Sequence, residues 1–270
     1  MVSRQSRMTV VIALLGLGAT GFARCGSSWK LAWQDEFDGA AGQAPNPATW
    51  TADIGTDWGN QQLEFDTDFP ENVSLDGAGH LVITARRQAY QGSAYTSARL
   101  KTQGKREQAL GRIEASMKLP VGQGLWPAFW LLGADIDRVG WPSCGEIDVM
   151  EYRGQQPLVA QGSVHGPGYS GGGAITSTFA LPGPAGFDQD FHLFAIEWDL
   201  GRIAYEVDGE IYQVVQRSDL PPGAAWVFDK PFFILLNLAV GGTFVGSPGA
   251  STAFPQAMVV DYLRVFERDP

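Results

Sequence analysis

The stretch Cys144-Gly145-Glu146-Ile147-Asp148-Val149-Met150-Glu151-Tyr152 constrains the fold more than any other, because it sets three carboxylates within six positions of a segment that otherwise reads as a buried β-strand. Residues two apart in a strand share a face. Glu146 and Asp148 therefore point one way, while Ile147 and Val149 point into a core. Strict alternation would leave Met150 beside the acids and drive Glu151 into the apolar side, where an unpaired carboxylate is costly. A one-residue β-bulge around Val149 or Met150 removes the conflict by turning Glu151 back onto the face of Glu146 and Asp148. Three acids then line one wall.

Such a wall suits glycoside hydrolysis, in which one carboxylate attacks the anomeric carbon and a second, kept protonated, donates to the leaving oxygen. Crowding like charges raises the pKa of at least one member, which separates an ionised nucleophile from a protonated acid. A third carboxylate between them tunes both. The other uses of three such acids are a solvated strand face and a metal site.

The motif resembles the E-I-D-x-x-E signature of glycoside hydrolase family 16, in the bulged form of its laminarinase-type β-1,3-glucanases. Further blocks resemble the family in the same order along the chain: Trp33-Gln34-Asp35-Glu36-Phe37, Tyr95 to Leu100, Gly124 to Trp130, Val164-His165-Gly166, Phe191 to Trp198, Leu236 to Gly242 and Asp261 to Val265. The resemblance implies an all-β fold, a concanavalin A-like β-jelly-roll sandwich of two curved antiparallel sheets. It implies a β-1,3-glucan such as laminarin as substrate, cut internally with retention, the alternatives being another polysaccharide (mixed-linkage glucan, agarose or a galactan) or glucan binding without catalysis. Glu146 would be the nucleophile, Glu151 the acid and then the base, and Asp148 the residue that holds Glu146 and modulates the shared proton. Retention requires carboxylates about 5–5.5 Å apart. Four unbent strand steps of roughly 3.3 Å would part their backbones by about 13 Å, so the bulge must close much of that distance.

By the same resemblance, sugar contacts are expected from Asn60, Arg99, Trp126, Trp130, Trp141 and His165. A structural calcium ion is expected at Glu36, the Gly79 carbonyl and Asp261, hard oxygen donors of the kind calcium prefers. Catalysis needs no cofactor, and a monomer is expected. Two departures stand out. Gln61 to Asp66 differs from the family block, and Thr243-Phe244 follows Gly241-Gly242 where the family usually has Asn-Trp.

Composition agrees with many short strands and tight turns: 34 Gly, 16 Pro and 11% aromatics, with 18% charged residues. A chain of this length is ordinary for one sandwich, so residues 24–270 read as a single catalytic domain. Residues 1–23 carry Arg4 and Arg7, then an apolar run from Thr9 to Gly18, then small residues, which is the pattern of a secretory signal peptide. That run is too short to span a bilayer, and a soluble exported protein is expected rather than a lipoprotein at Cys25. Removing two arginines and no acids takes the net charge from -10 to about -12, which excludes a basic nucleic-acid footprint. Cys144 reads as a small buried thiol, with a bridge to Cys25 open to an exported chain.

Leu81 to Ala85, Ser97 to Thr102, Leu110 to Leu119, His192 to Asp199 and Met258 to Glu267 read as strands. In Leu110 to Leu119, Arg112, Glu114, Ser116 and Lys118 are expected on a wet face. Asp208-Gly209 joins Arg202–Val207 to Glu210–Val215 as a hairpin. Pro231 to Val240 is apolar throughout except Asn237, hence central and covered on both sides. If Trp126 to Trp130 is extended, both indoles share the acids' surface, where axial C–H groups of sugars pack on flat π faces. Core packing is the alternative for each, and the one expected of Trp198. Asn60 is either a cleft residue or a turn asparagine, Arg99 a cleft residue or a solvated one, and His165 a cleft donor or a satisfied structural histidine. Gly168-Tyr169-Ser170-Gly171-Gly172 matches the G-x-S-x-G elbow of serine hydrolases. That elbow must be followed by a helix, and the glycines and threonine after it cannot start one.

Overall fold

Apolar alternation interrupted by glycine, proline and asparagine turns divides the chain into short strands. In the computed structural model, which describes residues 29–269, there are eighteen among the described residues. The first six are β1 (Trp29–Asp35), β2 (Thr51–Asp53), β3 (Glu64–Asp66), β4 (Val73–Leu75), β5 (Leu81–Ala85) and β6 (Tyr95–Ser97). Next come β7 (Arg99–Lys101), β8 (Glu107–Gln108), β9 (Gly111–Lys118), β10 (Leu125–Gly133), β11 (Glu146–Tyr152) and β12 (Val159–His165). The last are β13 (Ile175–Ala180), β14 (His192–Asp199), β15 (Arg202–Val207), β16 (Glu210–Gln216), β17 (Phe232–Val240) and β18 (Gln256–Arg268). The leader read in residues 1–23, and Cys25 with its bridge to Cys144, lie outside the described residues.

One antiparallel sheet runs β16-β15-β14-β9-β18-β5-β4, with β1 also on β18; the other runs β13-β12-β11-β10-β17-β7-β2, with β8 also on β17. Their facing sides share one core, giving the expected jelly-roll sandwich. Ile113, Ala115 and Met117 enter it from β9, Phe129 and Leu131 from β10, and Ile234, Leu236 and Leu238 from β17. Trp198 is fully buried and donates to the Phe228 carbonyl at 3.1 Å, a core tryptophan as expected. The expected Ser97 to Thr102 strand is two pieces, since β6 leaves the sheet to pair with β3 and buried Ala98 falls at the break.

The outer face of the second sheet positions the site. Along β17 every residue is buried. Phe233 and Leu235 pack outside the sandwich with Leu132 and Cys144, and Ala239 packs there with Trp126 and Val245. Two small apolar clusters thus bank this face, and Asn237 lies between them.

On the opposite sheet, the polar face of β9 is not wet as expected: Glu114 and Ser116 are each 8% exposed. Arg112 donates to both oxygens of Glu206, at 3.0 and 2.9 Å, and to Glu114 at 2.7 Å, so charges on adjacent strands shield one another. The residues expected at a calcium ion, Glu36, Gly79 and Asp261, lie on the outer side of this sheet and its turns. The Glu36 carboxylate accepts two hydrogen bonds from Arg264, at 2.7 and 2.8 Å, and is taken up by that pair. A Cβ at Gly79 would stand 3.9 Å from Asp38 Oδ1 and 4.0 Å from the Glu36 carbonyl, so both oxygens lie near that turn. Asp261 is the extra residue at a bulge where β18 passes β9.

Candidate active site

The acid strand carries the bulge its charges require. Across β10, Asp148 pairs with Trp130 and Met150 with Phe129, which leaves Val149 as the extra residue. Val149 and Met150 both enter the core, at 2% and 1% exposure, so Glu151 returns to the face of Glu146 and Asp148. On the other flank the ladder steps from Asp148 opposite Ser163 to Glu151 opposite Gln161. Gly162 falls between them, where a Cβ would press into the Tyr205 and Tyr212 side chains.

Strand register then sets one polar row across the sheet. Asp53 lies opposite Arg99, Arg99 opposite Asn237, Asn237 opposite Ala128, Ala128 opposite Glu151, and Glu151 opposite Gln161. Six strands at about 4.8 Å spacing make this row roughly 24 Å long. Ala128 is the small member, and its missing bulk leaves room above the row. The adjoining cleft is walled by Trp58, Asn60, Gln62, Trp126 and Trp130.

Each acid has its own partners. Glu151 accepts from Trp126 Nε1 and Gln161 Nε2, both at 3.1 Å. Glu146 accepts from Trp141 Nε1 at 2.6 Å. His165, opposite Glu146 in the ladder, brings Nε2 to 3.0 Å from Asp148 Oδ2, which is buried and lacks an aligned hydrogen bond. Burial first, and then the Asp148 charge, push Glu146 up to about 8, against the pull of His165 and the Trp141 N–H. Burial and the Glu151 charge push Asp148 well above the usual carboxylate range. Glu151 is raised by burial and by Glu146, with Gln161 and Trp126 opposing. Burial and mutual repulsion thus push all three carboxyls upward, and as interacting groups they titrate as a set.

All six expected sugar-contact residues reach this region. Asn60, with φ 53°, is both a turn asparagine and a cleft residue. Arg99 is not solvated: it sits 4.8 Å from the Trp130 ring centre and 5.1 Å from that of Trp58, and it donates to Asp53 at 3.1 Å. Trp126 and Trp130 are cleft indoles, and Trp130 Nε1 donates to Asn237 Oδ1 at 2.7 Å. Trp141 is 49% exposed beside Glu146. Phe244, at the departure from the family pattern, packs against Trp126 with ring centres 4.8 Å apart and the planes tilted by 39°. Cys144 is buried in one of the apolar clusters, as expected of a small thiol.

Sequence reasoning missed Trp58, Gln62, Ala128, Asp53 and Gln161 as site residues. Trp58 had a signal in its position two before Asn60. Gln161 and Asp53 had none without the register. Ser170 has no helix behind it, only the three-residue 3-10 turn Gly171–Gly173, so the elbow motif is a coincidence of residues. Among the described residues, the one group of three side chains that could share a metal ion is Glu146, Asp148 and His165.

The family model for glycosyl hydrolases family 16 matches residues 51–264. A beta-glucanase of Rhodothermus marinus is 39% identical over 270 residues, covering 94% of this chain and 91% of its own. The laminarinase catalytic domain of Thermotoga maritima has a TM-score of 0.84 at 45% identity, over 90% of this chain and 99% of that one. The endo-β-1,3-glucanase of Pyrococcus furiosus has 0.85 at 46% identity, over 89% of this chain and 95% of its own. With its bulged acid strand, its sandwich and these matches over most of its length, the chain belongs to glycosyl hydrolases family 16.

Proposed function

We propose that the protein is an exported endo-β-1,3-glucanase that cuts laminarin-type glucans with retention at the anomeric carbon. The observation that carries the reading is the bulge at Val149, which gathers Glu146, Asp148 and Glu151 on the floor of an aromatic cleft. The relatives named as laminarinase and endo-β-1,3-glucanase support the linkage. The leader-like residues 1–23 support export of a catalytic domain formed by residues 24–270.

The three acids share their protons as a coupled set; with the proton on Glu151, ionised Glu146 attacks the anomeric carbon while Glu151 gives that proton to the departing glycosidic oxygen. A glycosyl ester on Glu146 results, and one sugar chain leaves with a new hydroxyl. Glu151, now a carboxylate, takes a proton from water; that water attacks the same carbon and frees Glu146, so both residues return to their starting states. Asp148, held between them, moderates the charge that passes from one to the other. The neutral substrate fits the lining. Its one cation, Arg99, is already paired with Asp53, and the indoles of Trp58, Trp126 and Trp130 line the cleft with aromatic surface of the kind sugar rings pack on. A polar row crossing six strands suits internal cleavage of a long chain.

The test is product analysis on laminarin, mixed-linkage β-glucan, agarose and xylan, followed by azide rescue. Azide with Glu146→Gly should form the α-glycosyl azide, because it fills the nucleophile's place. With Glu151→Gly it should form the β-azide, because it replaces water. Agarose cleavage in place of laminarin, or the opposite pairing of azide products, would overturn the substrate or the roles respectively.

A further inference from the structure

The glycine loop that imitates a serine-hydrolase elbow has a different use. After His165 the chain makes a tight turn closed by paired hydrogen bonds between Gly166 and Tyr169, at 3.1 and 3.0 Å. Tyr169 anchors it, fully buried and donating its hydroxyl to the Ala225 carbonyl at 2.8 Å. A Cβ at Gly166 would overlap the Tyr169 ring, so the turn needs glycine there. Gly171, with φ 56°, then opens the short 3-10 turn, and its N–H, having no carbonyl behind it in that turn, donates to His165 Nδ1 at 3.0 Å.

A ring nitrogen that accepts an N–H cannot carry a proton. His165 must therefore be the Nε2–H tautomer, its protonated nitrogen 3.0 Å from Asp148 Oδ2. The other two histidines are the reverse. His80 Nδ1 lies 2.6 Å from Asp76 and His192 Nδ1 2.6 Å from Asp208, each carboxylate requiring the proton on Nδ1. We propose that the Gly171 amide is a positioning group for the reaction: it fixes the His165 tautomer so that an N–H, not a lone pair, stands beside Asp148, and it thereby denies the Glu146–Asp148–His165 group to metal ions.

The second half follows from the same hydrogen bond. One ligand atom from each of these residues lies within 4.8 Å of the others, close enough to be drawn around a divalent ion. Coordination through Nε2 would move the proton to Nδ1, where it would meet the Gly171 N–H head on. A metal here would also occupy the nucleophile. The glycine loop thus protects an acid cluster that otherwise resembles a metal site. This inference rests on the catalytic reading of the acid strand for its effect on turnover, but not for the tautomer itself.

Nitrogen-15 spectra of histidine-labelled protein, taken where the rings are neutral, read the tautomer directly. The signal absent from His165→Gln should have the Nε2–H pattern, and an Nδ1–H pattern in the wild type would overturn the proposal without any need for a folded variant. Replacing the Gly171 N–H with an ester oxygen, by incorporating glycolate at that position, should lower kcat roughly tenfold with KM nearly unchanged, the scale of an outer partner's loss. The ester should also bind Zn2+ by calorimetry where the wild type does not. Equal zinc binding by both would refute the exclusion. Ser170→Ala keeps the amide and should match the wild type in spectrum and rate. If the tautomer is as stated but Glu146→Gln remains active, the catalytic reading fails while the tautomer assignment stands.

Discussion

Replacing Glu146 with glutamine should make the protein more resistant to unfolding at alkaline pH while abolishing turnover. The carboxyl is pushed from an ordinary 4.5 to about 8 by burial and by Asp148. Below about 4.5 it is protonated in folded and unfolded chains alike, and its contribution to stability is whole. Between the two values only the folded chain keeps the proton, so stability falls as pH rises through about 8. The full difference corresponds to about 5 kcal/mol. Because solvent reaches the partly buried carboxylate, we take roughly half, about 2 kcal/mol. For a protein of this size that is ~4–8 °C in Tm. The variant's amide cannot titrate, yet its oxygen can still accept the Trp141 N–H. Calorimetric scans of both proteins from pH 4 to pH 9 should show the wild type losing about that much relative to the variant. Relief of the repulsion felt by Asp148 and Glu151 adds to the same trend. Parallel curves, with one constant offset across the range, would refute the claim that burial raises the Glu146 carboxyl.

Gln161→Leu removes a donor that opposes the upward push on Glu151, so the alkaline limb of kcat/KM should move to higher pH in pH–rate profiles. Arg99→Met leaves Asp53 with Lys101 and takes the cation from between Trp58 and Trp130; KM for laminarin should rise about tenfold, the scale of a desolvated cation–π contact, with a smaller change in kcat in steady-state assays. Arg112→Met lies on the opposite sheet and strands Glu206, which is 6% exposed. It should cost about 3–5 kcal/mol in urea unfolding while leaving KM unchanged.

Much of this was legible because the chemistry of burial leaves few choices. The bulge could be placed to within a residue since a strict strand would have buried Glu151, and β17 could be placed centrally since only Asn237 interrupts its apolar run. What failed is register. Arg112 on an alternating strand reads as solvated until Glu206 is found beside it, and the Glu36 carboxylate reads as free until Arg264 arrives from more than two hundred residues away. Gln161 and Asp53 are ordinary surface residues in the chain, and they become site residues only when the ladder aligns them with Glu151 and Arg99.

The place of the cleft follows from the same outer face. Leu132, Cys144, Phe233 and Leu235 close one part of it, and Trp126, Ala239 and Val245 another. Between them the side chains are Asn237, Ala128 and the acids, too small or too polar to seal it. The banks exclude water from the carboxylates, which raises their pKa values, and the indoles of Trp126 and Trp141 donate the hydrogen bonds that limit the rise. Burial of the trio is thus a cost to the fold and a condition of the chemistry. It is tolerated because the strand's other residues, Ile147, Val149, Met150 and Tyr152, anchor it in the main core.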